Sequence, residues 1–150
     1  MRKDDRAVAG FFEDLAVMVF VLAGVSLLIS AYVWSSMIAQ AQTEQERLDY
    51  LAEDFVTRVV SQAMETGEGP AGPSVSVLRG LDLPAVAQES LVGRCVAASI
   101  SVLHPYHQLV ISFSSTDPCD ALLTGYSVEL MNAVDEAGMV VISEVRCVVW

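Results

Sequence analysis

Residues 15–39 read LAVMVFVLAGVSLLISAYVWSSMIA, 25 residues without a single charge. A helix needs roughly 20 apolar residues to cross the hydrocarbon core of a bilayer, so this run is long enough to span one. Arg2, Lys3 and Arg6 precede it, and the first charge beyond it is Glu44. Basic residues stay on the cytoplasmic side. The expected topology therefore has the N-terminus inside and residues 40–150 outside the cell membrane, on a single pass. A cleaved secretory signal carries an apolar stretch of only roughly 7–15 residues. This run is longer, and Tyr32, Val33 and Trp34 near its end suit an interfacial anchor. A buried helix of a soluble protein keeps a polar stripe, and none is visible here.

Charge narrows the function classes. Beyond the anchor the chain holds five Arg, no Lys and fifteen acidic residues, a balance of about −10 within a total of −11. Nucleic-acid binding needs a basic footprint, so no nucleic-acid partner is expected. An ectodomain lying on anionic lipid is disfavoured for the same reason. With 150 residues there is room for one modest domain outside the membrane.

Between Phe11 and Thr66 there is no proline, and the only glycine is Gly24. Proline costs about 3 kcal/mol inside a helix and glycine about 1 kcal/mol, so nothing obliges the membrane helix to stop at the membrane. Residues 40–65, QAQTEQERLDYLAEDFVTRVVSQAME, continue as good helix formers. Leu48, Leu51, Phe55, Val59 and Gln62 follow the 3/4 spacing of one helical face, which Val56, Val60 and Ala63 widen. One long helix is expected over 11–66, apolar all round at first and amphipathic later. Its stripe must be buried, and the C-terminal region is the nearest cover.

Gly67, Gly69, Pro70, Gly72 and Pro73 then stop the helix and form a linker over 67–73. In the next stretch 74–78 reads as a short strand, and Asp82 or Leu83 before Pro84 opens a short helix through Leu91. From Arg94 onward the pattern is β. CVAASISVL and LVISFSS flank HPYHQ as one hairpin, and YSVELMNAV and MVVISEVRCVVW flank DEAG as another. Thr116, Asp117 and Pro118 signal a turn. In the last strand Val141, Val145 and Val149 share one face and Val140, Ile142 and Val148 the other. Apolar residues on both faces place that strand inside the sheet, with the long helix on one side. The expected class is α+β: one long N-terminal helix against a small antiparallel β-sheet head over 74–150.

Candidate chemistry is sparse. Cys95, Cys119 and Cys147 all fall outside the membrane, where disulfides persist. Three cysteines allow three single pairings with one left over. Cys95–Cys147 is favoured, because both sit in an RCV context on predicted strands. Cys119 is the alternative partner, and three reduced, buried cysteines are the other reading. There is no CxxC and no histidine set for a metal; His104 and His107 in HPYH read as a polar hairpin tip, and Pro105 excludes the helical spacing a metal pair would use. No GxSxG nucleophile setting and no phosphate-cradling glycine loop occurs. Asp135 and Glu136 read as turn residues. Gly24 and Ser30 offer no GxxxG packing motif. No catalytic residue, metal or cofactor is expected. Glu13 and Asp14 differ from these, because a carboxylate at the inner edge of a membrane run is costly unless it reaches the interface or a partner.

These parts resemble the type IV pilin superfamily, including archaeal pilins and archaellins and the pseudopilin-like anchored proteins. Its members join a short basic leader, a cut after a small residue, a long apolar-then-amphipathic helix and a β-rich head. RKDDRAVAG followed by FFEDLAVMVFVLAG is similar to such a leader and helix start, making 1–10 the leader. The resemblance implies a cut after Gly10, with Phe11 as the new N-terminus. It also implies that Glu13 or Asp14 is the early helix acid that pairs with a neighbour's terminal amine during assembly. Bacterial members carry that acid at the fifth mature position, whereas here acids fall at the third and fourth. The Asp4-Asp5 pair is closer to archaeal leaders.

Two functional classes follow. One is a structural or assembly subunit of a pilus-like surface filament or its machinery, with the bilayer and other copies or pilin-like subunits as partners. The other is a non-assembling single-pass protein whose outer head binds a ligand or a protein, in the manner of a sensor or stator. An anchored enzyme is not expected, because no constellation of residues supports one.

Overall fold

The computed structural model describes residues 4–67, 69, 71–103, 108–115 and 122–150, with side chains from residue 15 onward. The order of elements is α1 (Asp4–Thr66), α2 (Val75–Arg79), α3 (Leu83–Ser90), β1 (Val96–Val102), β2 (Gln108–Ser114), β3 (Gly125–Val134) and β4 (Val140–Val149). The chain divides into two units, Met1–Gln42 and Thr43–Trp150, and α1 contributes to both. The class is α+β, as the hydropathy pattern requires. The helix runs unbroken to Thr66, where breaker-free sequence ends and the Gly/Pro linker begins.

The described part of the first unit is helix alone. From residue 15 to Gln42 every side chain except Ser36 is exposed, including Phe20, Leu28, Tyr32 and Trp34. The helix is long and apolar enough to cross a membrane. Three of its serines bond back to the helix: Ser26 Oγ donates to Leu22 O, Ser30 Oγ to Ser26 O and Ser36 Oγ to Val33 O, each at 2.8 Å. Such back-bonding lets serine sit in an apolar stretch without an outside partner.

The second unit has its own core. The amphipathic part of α1 buries Leu48, Ala52, Phe55, Val56, Val59 and Ala63, while Leu51 and Val60 are half-buried. Gln62, at the end of the expected stripe, faces solvent. The helix closes with Gly67 N–H donating to Ala63 O at 3.0 Å. Residues 74–78 correct the expectation of a strand. Ser74 Oγ caps the helix α2 by accepting from Val77 N at 3.3 Å, and only Ser74 makes a bridge, parallel, to Val134. In α3, Asp82 Oδ1 accepts from Ala85 N at 3.1 Å and Pro84 stands in the first turn, the arrangement its sequence predicts.

The sheet is wholly antiparallel in the order β2-β1-β4-β3, so the last strand lies inside it. Val96, Ala98, Ile100 and Val102 of β1 and Val141, Val145, Cys147 and Val149 of β4 fill the covered face. On the other face Tyr126, Leu130, Val140 and Ile142 are exposed, while Ser101 and Glu144 are buried. Across it, Arg146 Nε donates to Glu144 Oε1. The β3–β4 turn is built by Asp135. Its Oδ1 accepts from Ala137 N at 2.9 Å and Met139 N at 2.8 Å, and Gly138 takes the left-handed conformation that completes the turn (φ +79°).

Candidate functional site

The residues implied in processing and assembly sit at the start of α1. The helical backbone covers Gly10, Phe11, Glu13 and Asp14, and their side chains lie outside the described ones. His104, His107 and the turn at 116–118 also fall outside the described residues.

The described side chains gather elsewhere, where α1 enters the second unit. Glu44 Oε1 accepts from Arg94 Nη2 at 2.6 Å, with Arg47 on its other oxygen at 3.8 Å. The next residue, Gln45, donates through Nε2 to Thr124 O at 2.8 Å and to Asp49 Oδ1 at 3.2 Å. Asp49 Oδ1 also accepts from the backbone N–H of Tyr126 at 3.2 Å. Three elements thus converge on one helical turn: the loop before β1 through Arg94, the approach to β3 through Thr124, and β3 itself through Tyr126.

Gly125 makes that convergence possible. A Cβ at this position would lie 2.2 Å from both C and O of Leu48 and 2.7 Å from Asp49 N. The strand backbone therefore rests directly on the helix backbone, an approach only glycine permits. Read from the sequence, Gly125 has no assigned role, and Glu44, Gln45, Asp49 and Arg94 do not stand out. A glycine opening a β-branched and aromatic run, YSVELM, was the available signal. The three i, i+1 and i+5 polar residues on α1 carried none, because they look like an ordinary solvated helix face.

The cysteines correct one expectation. Cys147 is a free thiol with no exposure, so Cys95–Cys147 does not form. The register gives the reason. Cys147 stands opposite Ala98, whereas Cys95 pairs through its backbone with Trp150. Three residues of strand separate the two, about 10 Å at roughly 3.3 Å per residue, and an odd offset puts them on opposite faces. A disulfide needs Cα atoms within about 7 Å. Cys95 is disulfide-bonded, and the remaining cysteine, Cys119, lies outside the described residues. Burial pushes the Cys147 thiol up to about 12, which keeps it protonated and inert.

Two shallow grooves flank α3. One, of about 410 Å³, lies between α1 and α3 and is lined by Arg58, Ser61, Gln62, Glu65, Val86 and Glu89. Arg58 donates to Asp54 at 2.7 Å, and that hydrogen bond raises its pKa. The other, of about 430 Å³, is lined by Leu91, Val92, Arg94, Val96 and Phe113 among others. Among the described residues no group of three or more His, Cys, Asp or Glu is placed to hold a metal.

Comparison of the chain with protein-family models, with curated proteins and with solved structures returns no match. The geometry defines a class on its own terms: a small α+β head that closes its own core over one half of a long helix, whose other half is an uncovered apolar rod.

Proposed function

We propose that this chain is a structural subunit of pilin-like design, anchored in the membrane by residues 15–39 with its head outside, and able to pack among copies or related subunits through the apolar part of α1. One observation carries this reading. The amphipathic stripe of α1 is consumed by the chain's own head, with Phe55 and Ala52 fully buried, whereas 15–39 keeps its apolar side chains exposed. A contiguous apolar surface of this size requires cover, and lipid before assembly and a bundle of like helices after it both supply it. The leader-like RKDDRAVAG and the early acids support the same reading. In a bundle of low dielectric, a Glu13 carboxylate paired with a neighbour's Phe11 amine is far stronger than in water.

N-terminal sequencing and intact mass of the protein from sheared surface material and from membranes test the proposal. A chain beginning at Phe11 in the sheared fraction supports it. An intact N-terminus, with the protein confined to membranes, overturns it in favour of a non-assembling anchored head.

A further inference from the structure

Among the described residues the sheet ends at β2 on one side and β3 on the other, with no further strand beyond either. In β3 the backbone groups of even-numbered residues point away from β4. Tyr126 N–H, at one end, is taken by Asp49 Oδ1, and Val134 N–H, at the other, by Pro73 O at 2.9 Å. Between them Val128, Leu130 and Asn132 turn their N–H and C=O groups outward with no partner among the described residues. In β2 the bond from Ser115 N to Val96 O at 2.8 Å sets the alternation, so Ser112 and Ser114 turn theirs outward. A register shift between Ile100 and Ser101 marks a bulge near Val110, which bends the first residues of β2 away and leaves 111–114 as the straight part of that edge.

Natural edges that must stay unpaired are guarded by charge, often Lys, or by Pro. Here β2 has no charged residue and β3 has only Glu129, in a chain of net charge −11. Neither strand contains Pro. Beneath the β3 edge runs a groove of about 410 Å³ lined by Val60, Met64, Gly69, Gly72, Glu129 and Met131. It opens on the covered side of the sheet, the side that Ile111 and Phe113 of β2 also face.

We propose that this open edge of β3 takes the straight edge of β2 from a second copy of the chain, head to tail, extending one antiparallel sheet from copy to copy. Strand direction selects this arrangement. Four antiparallel strands in the order β2-β1-β4-β3 leave the two edge strands running in opposite directions. A copy displaced sideways therefore presents β2 antiparallel to β3, and its α1 keeps the same direction. A symmetric β3–β3 pair needs a two-fold axis normal to the sheet. The 43–66 part of α1 lies along β3, with Leu48 against Gly125 and Val60 and Met64 beside residues 129–132. A half-turn would reverse it and send the two chains toward opposite sides. Here alone the argument rests on the anchored reading, because two chains with their N-termini inside one membrane cannot diverge in that way. A basic peptide is the less suitable occupant, since Glu129 is the one acid on the two edge strands.

The test uses the full chain in its native membrane, with Leu130→Cys, Ser112→Cys and the double variant treated with a flexible bis-maleimide. Cys147 is buried and Cys95 is bonded, and the unaltered chain, treated alongside as the control, is expected to give no product. The double variant is expected to give a ladder of dimers, trimers and higher species. The two single variants are expected to link only when co-expressed. Adding Val128→Pro to the double variant removes an outward N–H without touching a β3–β4 bond. It should cut the ladder about tenfold, while an unreactive Cys147 shows that the head is still folded. Dimers from Leu130→Cys alone, links only to other proteins, or no links from the double variant would overturn the proposal. The readout does not depend on a cut after Gly10. Loss of the protein from the membrane fraction would strike the anchored reading instead.

Discussion

Replacing Gly125 by Ala adds one methyl group between two backbones. The added carbon would sit 2.2 Å from Leu48 C and O, against an ordinary contact of about 3.5 Å between carbons. Both neighbours are backbone, so no side chain can swing aside, and helix and strand must part by about 1 Å. Overpacking of this kind costs about 1–3 kcal/mol. The same movement stretches the bonds from Tyr126 N to Asp49 Oδ1 and from Gln45 Nε2 to Thr124 O, each worth about 1 kcal/mol. The expected loss is about 3–5 kcal/mol, out of the roughly 5–15 kcal/mol that holds a domain folded. At about 4 °C per kcal/mol, Tm should fall by about 12–20 °C when the full chain is unfolded in detergent micelles and followed by near-ultraviolet circular dichroism. Gly24→Ala is the control, because a Cβ there meets nothing within 4 Å, and head stability should not change. A Gly125→Ala loss below about 1 kcal/mol would refute the backbone-on-backbone contact.

Three further outcomes are expected. Phe55→Ala empties the largest fully buried site on α1 and should cost about 3–5 kcal/mol by chemical denaturation, with the membrane fraction of the protein unchanged. Cys147 holds its proton more firmly folded than unfolded, so its stabilisation is intact below about pH 9 and is lost as pH rises toward about 12; denaturation midpoints across that range should fall less in Cys147→Val, and thiol titration should count one reactive cysteine per chain, only after unfolding. Glu13→Ala should strongly reduce incorporation into surface material while leaving insertion and head folding intact, because one partner of a buried pair is worth about 3–5 kcal/mol; normal incorporation of Glu13→Ala, Asp14→Ala and the double variant would remove the early-acid role.

The parts of this fold that were legible in sequence are those set by long periodic signals. The apolar run, the breaker-free helix and its stripe, and both hairpins follow from spacing alone, and α3 was legible because Asp82 and Pro84 mark its start. Residues 74–78 were not, because SVSVL alternates like a strand over a window too short for a helical period, and the Ser74 cap decided the matter. The cysteine pairing failed for a different reason. The shared RCV context says nothing about face or register, and register places Cys95 and Cys147 three positions apart. The polar turn from Glu44 to Asp49 was hidden because its partners, Arg94, Thr124 and Tyr126, are distant in sequence. The open strand edges likewise required the strand order.

The central claim is that residues 15–39 cross the membrane and leave the head outside. Val92 is 81% exposed in the head, so Val92→Cys offers a thiol to a membrane-impermeant maleimide, while Cys147 stays silent. The account predicts that intact cells or right-side-out vesicles label this variant as fully as lysed ones do, with the protein retained in the membrane fraction. Labelling only after lysis, or a protein that leaves the membrane without detergent, would contradict it.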